Sequence, residues 1–230
     1  MSMLEAVLAG APGTLLLHAG AGHLPGTRVG RMPELDIGAA KRGRRAYSFD
    51  DIAIVPSRRT RDPKDVSISW TIDAFTFETP VIAAPMDSVV SPATAIAMGQ
   101  LGGLGVLDLE GLWTRYDDPE PLLAEIAALP AVEATGRMRE IYAEPIKPEL
   151  IRDRLAQIRD AGVVVSGSLS PQAVQQHYET VLAAGVDLMV IRGATVSAEH
   201  VSAEAGTPLN LKQFIYELDV PVVVGGVVTY

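Results

Sequence analysis

The apolar and polar positions of this chain fall into alternating blocks of two kinds. Short apolar runs bounded by Gly or Pro have the length and β-branched content of buried strands. Each is followed by a longer stretch in which apolar residues recur at the spacing of one helix face. The strand-like runs are VIAAPM (81–86), GLGVLDL (103–109), VVVS (163–166), VDLMVI (186–191) and VPVVVGG (220–226). The helix-like stretches cover 92–102, 119–129, 148–161, 171–184 and 209–218. Pro92 at a first helical position behind Ser91, a candidate N-cap, and Gly102 as a stop give the first helix clear ends. In the second, Leu122, Leu123, Ile126 and Leu129 share a face. Upstream, DDIAIVP reads as a strand ended by Pro56, and WTIDAFTFETP alternates like a hairpin arm closed by Pro80. Residues 130–147 fit either a helix or a structured connection.

Repeated strand-then-helix units call for parallel strands joined by right-handed crossovers, in a doubly wound sheet or a closed barrel. The expected fold class is α/β, a parallel (β/α)8 TIM barrel that is incomplete, with about five of eight strand-helix units present, since such barrels need roughly 250 residues. Val220 to Val224 reads as a strand buried on both faces. It would stand fifth of eight, with its neighbours on one side missing.

Composition narrows the choice. Of 230 residues 48% are apolar and 5% aromatic, a balance suited to parallel sheets packed through small aliphatic side chains. A net charge of −9 opposes broad attraction to nucleic acid or anionic lipid, so neither is an expected partner. There is no cysteine, which removes disulfides, thiolate metal sites and thiol nucleophiles; no metal-binding residues are assigned. With no bilayer-length apolar run and no secretory start, a cytoplasmic protein without membrane association is expected. Residues 1–46 show little pattern and read as a largely irregular extension. Gly20-Ala21-Gly22 hints at a dinucleotide-binding turn, but Pro25 stands where a third glycine belongs, and the basic cluster Lys41, Arg42, Arg44 and Arg45 reads as a solvated segment.

Two stretches are more specific. YSFDDIAIVPSRRT, followed by ETPVIAAPMDSVVSPATAIAMGQLGGLGVL, closely resembles the start of the barrel domain in the IMP dehydrogenase and GMP reductase family. The likeness continues more faintly through AGVDLMVI and VPVVVGGVVT, covering most of 47–230. IAIVPSRRTRDPKDVS, GGLGVLDLEGLWTRYDDPEPLL and VSAEHV are most similar to the actinobacterial branch labelled IMP dehydrogenase-related. Family starts fall near Met32, which leaves the first 31 residues as an upstream extension. The pair of nucleotide-sensing domains inserted in many relatives is not expected within 47–230. On this resemblance the chain is an N-terminal fragment.

The resemblance implies a purine nucleotide, IMP or GMP, at the C-terminal mouth of the barrel. Ala84, Pro85 and Met86 match the first substrate-binding turn, with Met86 against the base; ordinary core packing is the competing role for Met86. Asp87 is expected to cap or brace that turn. Gly225 and Gly226 match the family's Gly-Gly-Asn turn, without its asparagine. Arg192 stands where relatives carry an aspartate near the cofactor, so Arg192 and Gly193 become the cofactor-binding candidates. Arg192 would pair either with a cofactor phosphate or with a neighbouring carboxylate.

Family chemistry starts with a cysteine thiolate on the loop after the sixth strand attacking purine C2, while hydride moves to or from a nicotinamide. With no cysteine here, catalytic residues are not assigned and the chain is expected to be inactive alone. The implied reaction is NAD-dependent oxidation of IMP to XMP in guanine nucleotide synthesis. Reductive deamination of GMP with NADP as the oxidised product is the alternative, a flavin-dependent barrel a weaker one, and a non-catalytic fragment or regulatory subunit a third. A homo-oligomer, a tetramer for the complete protein, is also implied.

Overall fold

The computed structural model describes residues 34–37, 41–44, 51, 53, 55, 61–196, 199–200 and 209–227. The Gly20-Ala21-Gly22 motif therefore lies outside the described residues. The chain divides into two compact units, residues 1–67 and 68–230. In the first, β1 (Glu34–Ile37) and β2 (Lys41–Arg44) pair antiparallel, with Glu34 opposite Arg44 and Ile37 opposite Lys41. The strand expected over DDIAIVP does not form at its described positions: Asp51, Ala53 and Val55 carry no strand.

The second unit opens with a hairpin. β3 (Trp70–Ile72) and β4 (Phe75–Phe77) pair antiparallel around Asp73, whose φ of 50° is a left-handed turn conformation that aspartate tolerates. WTIDAFTF thus supplies both arms of a hairpin rather than one.

Five strands then form a parallel sheet: β5 (Ile82–Ala83), β6 (Leu104–Asp108), β7 (Ser166–Leu169), β8 (Leu188–Val196) and β11 (Val222–Val227). A short antiparallel ribbon, β9 (Glu199–His200) with β10 (Leu209–Asn210), lies between β8 and β11 in sequence. The helices are α1 (Pro92–Gln100), α2 (Glu120–Ala128), α3 (Ala131–Ile141), α4 (Pro148–Asp160), α5 (Pro171–Ala183) and α6 (Leu211–Glu217). Ser91 caps α1 as expected, its hydroxyl accepting from the Thr94 N–H while Thr94 answers the Ser91 N–H. Gly102, at φ 79°, turns the chain out of the helix.

Strand order decides between the two parallel architectures. Consecutive strands are neighbours throughout, β5-β6-β7-β8-β11, with no point at which the winding reverses. All the connecting helices that pack on the sheet therefore lie on one face. Ala95 of α1, Ile151, Leu155 and Ile158 of α4, and Val174 and Val181 of α5 share a core with Leu107, Leu169, Met189 and Ile191 from the strands, and Phe214 of α6 packs against it. A doubly wound sheet would split its helices between both faces. These are five consecutive strands of a (β/α)8 barrel.

The opposite face is what a closed barrel turns inward. Because strand residues alternate, Leu104 and Val106 of β6, Leu188 and Val190 of β8, and Val223 of β11 all lie there, covered at the N-terminal ends of the strands by Trp70, Ile72, Phe75 and Phe77 of the hairpin. Trp70 and Phe77 stack at 4.6 Å between ring centroids. Among the described residues β11 pairs on one side only, with β8. Val222, Val223 and Val224 are half-buried rather than buried on both faces as the sequence suggests, because each face meets core but, among the described residues, one flank carries no partner strand.

Candidate functional site

The inner face changes character along the strands. The alternation that places Leu104 and Val106 inward places Asp108 next, at the C-terminal end of β6. On β7 it leads from Ser166 to Ser168, on β8 from Leu188 and Val190 to Arg192, on β11 from Val223 to Gly225, and on β5 from Ile82 to Ala84. The apolar floor therefore gives way to a polar rim at the C-terminal ends, the end at which (β/α)8 barrels collect their chemistry.

Three adjacent strands contribute to one contact. Arg192 reaches past β7 to Asp108, its Nη2 donating to Oδ2 at 2.8 Å, and its Nε lies 3.4 Å from the Ser168 hydroxyl. Of the two alternatives for Arg192, the structure contains the carboxylate pair. Asp108 is well enclosed, its side chain 13% exposed against 45% for Arg192. Burial pushes its carboxyl up from 3.8 to about 6, opposed by the Arg192 guanidinium and by the Glu110 N–H, which donates to Oδ1 at 3.1 Å. Asp87 and Glu110 add like charge in the same direction as burial.

The turn after β5 carries Ala84, Pro85 and Met86. The Met86 N–H donates to the Ala84 carbonyl at 2.8 Å, and the Met86 carbonyl accepts from Val89 and Val90. Met86 is 47% exposed, so it is not packed in the core. Asp87 braces rather than caps: its Oδ2 accepts from the Leu112 N–H at 2.9 Å and from the Tyr142 hydroxyl, while Ser91 does the capping. Gly111 lies so close that any side chain there would collide with the Asp87 carboxylate. Burial, then the bond to Asp87, holds the Tyr142 phenol well above its usual range, so it remains a donor.

Tyr142 belongs to the long connection between β6 and β7, which is stitched down at several points. Glu110 accepts from both the N–H and the hydroxyl of Ser170, Arg115 donates to the Glu110 carbonyl at 2.9 Å and to the Glu144 carbonyl, and Tyr116 donates to the Ile141 carbonyl at 2.8 Å. Arg154 from α4 donates to the carbonyls of Trp113 and Asp117.

The structure thus brings Arg192 and Gly193 beside Gly225 and Gly226, Arg192 standing in register with Gly225. Ala84, Pro85 and Met86 lie at the far outer strand, with Asp108 and Ser168 on the strands between. Asp108, Ser168 and Tyr142 are not among the residues that the sequence singles out. The inward alternation through Leu104 and Val106 to Asp108 is the available signal for the first. The donor set can accept a phosphate group in part: Asp108 uses one N–H of a five-donor guanidinium, and a Cβ at Gly225 would meet nothing within 4 Å, which leaves backbone open to close approach.

Comparison with known proteins agrees with this architecture. A sequence model of the IMP dehydrogenase / GMP reductase domain matches residues 46–230. The chain is 49% identical over 201 residues to an uncharacterized oxidoreductase of Mycolicibacterium smegmatis, covering 85% of this chain and 53% of the relative. It is 39% identical over 64 residues, 28% of this chain and 13% of the relative, to an inosine-5'-monophosphate dehydrogenase of Methanocaldococcus jannaschii. The crystal structure of an IMP dehydrogenase/GMP reductase-like protein from Corynebacterium glutamicum superposes with a TM-score of 0.74 at 45% identity, over 86% of this chain and 53% of that one. The chain spans about half the length of these longer matches. By its matched domain, its strand order and its relatives, the chain belongs to the IMP dehydrogenase / GMP reductase family of oxidoreductases.

Proposed function

We propose that this chain forms the purine-nucleotide and nicotinamide side of an oxidoreductase that converts IMP to XMP with NAD. The observation that carries the reading is the polar rim at the C-terminal ends of five consecutive barrel strands, in a chain of this family. In this reading Ala84 and Pro85 shape the substrate turn, and the exposed Met86 lies against the purine. Gly225 and Gly226 let the nucleotide approach the backbone. Arg192 and Gly193 hold the dinucleotide, whose nicotinamide supplies the hydride acceptor when bound.

The division of labour comes from the residues. Asp87 accepts from Leu112 and Tyr142 through Oδ2, so it holds the shape of the substrate turn. The β3–β4 hairpin and the apolar inner face exclude water from below, which strengthens the polar contacts at the rim. A thiolate for attack on the purine is not among these 230 residues, which contain no cysteine. The chain is accordingly proposed as the binding part of a larger catalytic unit, with the soluble, oligomeric organisation of its family.

The test is equilibrium binding of IMP, GMP and flavin mononucleotide to the chain. It is followed by nicotinamide absorbance on adding IMP and NAD in the presence of a polypeptide carrying the family's cysteine loop. IMP binding and NAD reduction are expected. Oxidation of NADPH by GMP instead would reverse the reaction assigned, and binding of flavin mononucleotide without IMP would refute the reading.

A further inference from the structure

We propose that a phosphate-bearing ligand binds this mouth together with one proton: the phosphate takes Arg192, and the carboxyl of Asp108 that Arg192 leaves takes the proton from solvent. The nucleotide identity of that ligand rests on the function proposed above. The coupling does not.

The geometry carries the argument. The pair is held by a single charge-assisted bond of 2.8 Å, with Nε only loosely placed at 3.4 Å from Ser168, so among the described residues the guanidinium fork is not saturated. Its two members differ in setting. Arg192 is the open member and Asp108 the enclosed one, at 45% and 13% side-chain exposure. A phosphate with two oxygens in the plane of the fork is a better partner for Arg192 than one carboxylate oxygen.

The groups facing Asp108 determine its charge once Arg192 is withdrawn. Asp87 approaches from the turn after β5 and Glu110 from the loop after β6, both as carboxylates. Tyr142, beyond α3, faces it as a neutral phenol, and Arg192 from β8 is the cation. With Arg192 engaged elsewhere, Asp108 keeps the Glu110 N–H and faces two like charges without a countercharge among the described residues. An ionised carboxyl in that position is strongly disfavoured, and protonation relieves it. Its midpoint near 6 with Arg192 still in place means that loss of the cation carries it through neutrality. Linkage gives the sign of this group's share: Asp108 holds one more proton in the complex than in the free protein, so for a ligand of fixed charge affinity falls as pH rises above about 6, by up to about tenfold per pH unit.

Pyrophosphate is the probe and NAD, the dinucleotide assigned to Arg192, the nucleotide. Carboxyl-carbon NMR follows Asp108 through pH, and calorimetry in two buffers of different ionisation enthalpy counts protons. Pyrophosphate is expected to raise the Asp108 midpoint on binding. Arg192→Gln is expected to raise that midpoint with no ligand present. In Asp108→Asn, which keeps an acceptor for the Glu110 N–H, proton uptake on pyrophosphate binding should fall by close to one at about pH 7, the ligand's own ionisation being common to both proteins. Failure of pyrophosphate to bind, binding without movement of Asp108, or equal proton uptake in the native protein and Asp108→Asn overturns the proposal. If pyrophosphate moves Asp108 but NAD does not bind, the nucleotide assignment fails and the coupling stands. If NAD binds without moving Asp108, the reverse holds.

Discussion

Asp108→Asn is predicted to make the protein more stable at neutral pH, although it removes one half of the ion pair with Arg192. The folded carboxyl titrates near 6 against an ordinary 3.8, so the folded state binds its proton more tightly than the unfolded chain does. Stability from this group is therefore fully present below about pH 3.8 and is lost as pH rises through about 6. At about 1.4 kcal/mol for each pH unit, that interval corresponds to about 3 kcal/mol. The attraction of Arg192 is already contained in the value, since it is one of the causes that lower it. Asparagine has nearly the shape of the protonated acid and no charge. The half-exposed guanidinium it leaves behind is solvated by water. Urea unfolding of both proteins should show near-equal stability at about pH 4, with the variant ahead by roughly 3 kcal/mol at about pH 8. Other carboxylates titrate in both proteins and cancel in the difference. A variant less stable than the native protein at about pH 8, or a difference that does not change with pH, would show that the pair is net stabilising and refute the reasoning.

Two further predictions concern how the mouth is held. Tyr142→Phe removes the hydroxyl that donates to Asp87 while the Leu112 N–H remains, so a loss of about 1.5–3 kcal/mol is expected for a bond to a charged group. Hydrogen exchange should quicken in α3 and leave α5 unchanged. Gly105→Ala places a Cβ 2.5 Å from the Cα of Ala95, forcing α1 off β6, and chemical denaturation should register a loss of about 1–3 kcal/mol.

The parts of the fold visible in the sequence are those in which one face dominates. α4 and α5 carry apolar residues at helical spacing against polar opposite faces, and Ser91, Pro92 and Gly102 punctuate α1. α3 is ambiguous in the sequence because its eleven residues bury only Ile141. The valines at 163–165 predict a strand over 163–166, yet β7 is Ser166–Leu169. There the serines point to the inner face, so the strand begins where the apolar run ends. The strand that composition suggests over DDIAIVP is not present at the positions described.

Within the site, the Ala84–Met86 turn and the Gly225–Gly226 pair are legible as motifs, and period-two alternation reaches Asp108. Local pattern cannot reveal Arg192 with Asp108, 84 residues apart in sequence, or Tyr142 with Asp87, separated by 55. Those contacts exist because the barrel gathers the C-terminal ends of distant strands at one rim.

The claim on which the account depends is that ligand is bound at that rim. Titration of the isotope-labelled chain with IMP, followed by backbone amide NMR, tests it directly. The account predicts saturable shifts at Ala84, Met86, Asp108, Ser168, Arg192, Gly193, Gly225 and Gly226, with the hairpin β3–β4 and the outer faces of α4 and α5 unmoved. Saturable shifts centred on the hairpin or on the helices, with the rim unchanged, would contradict it.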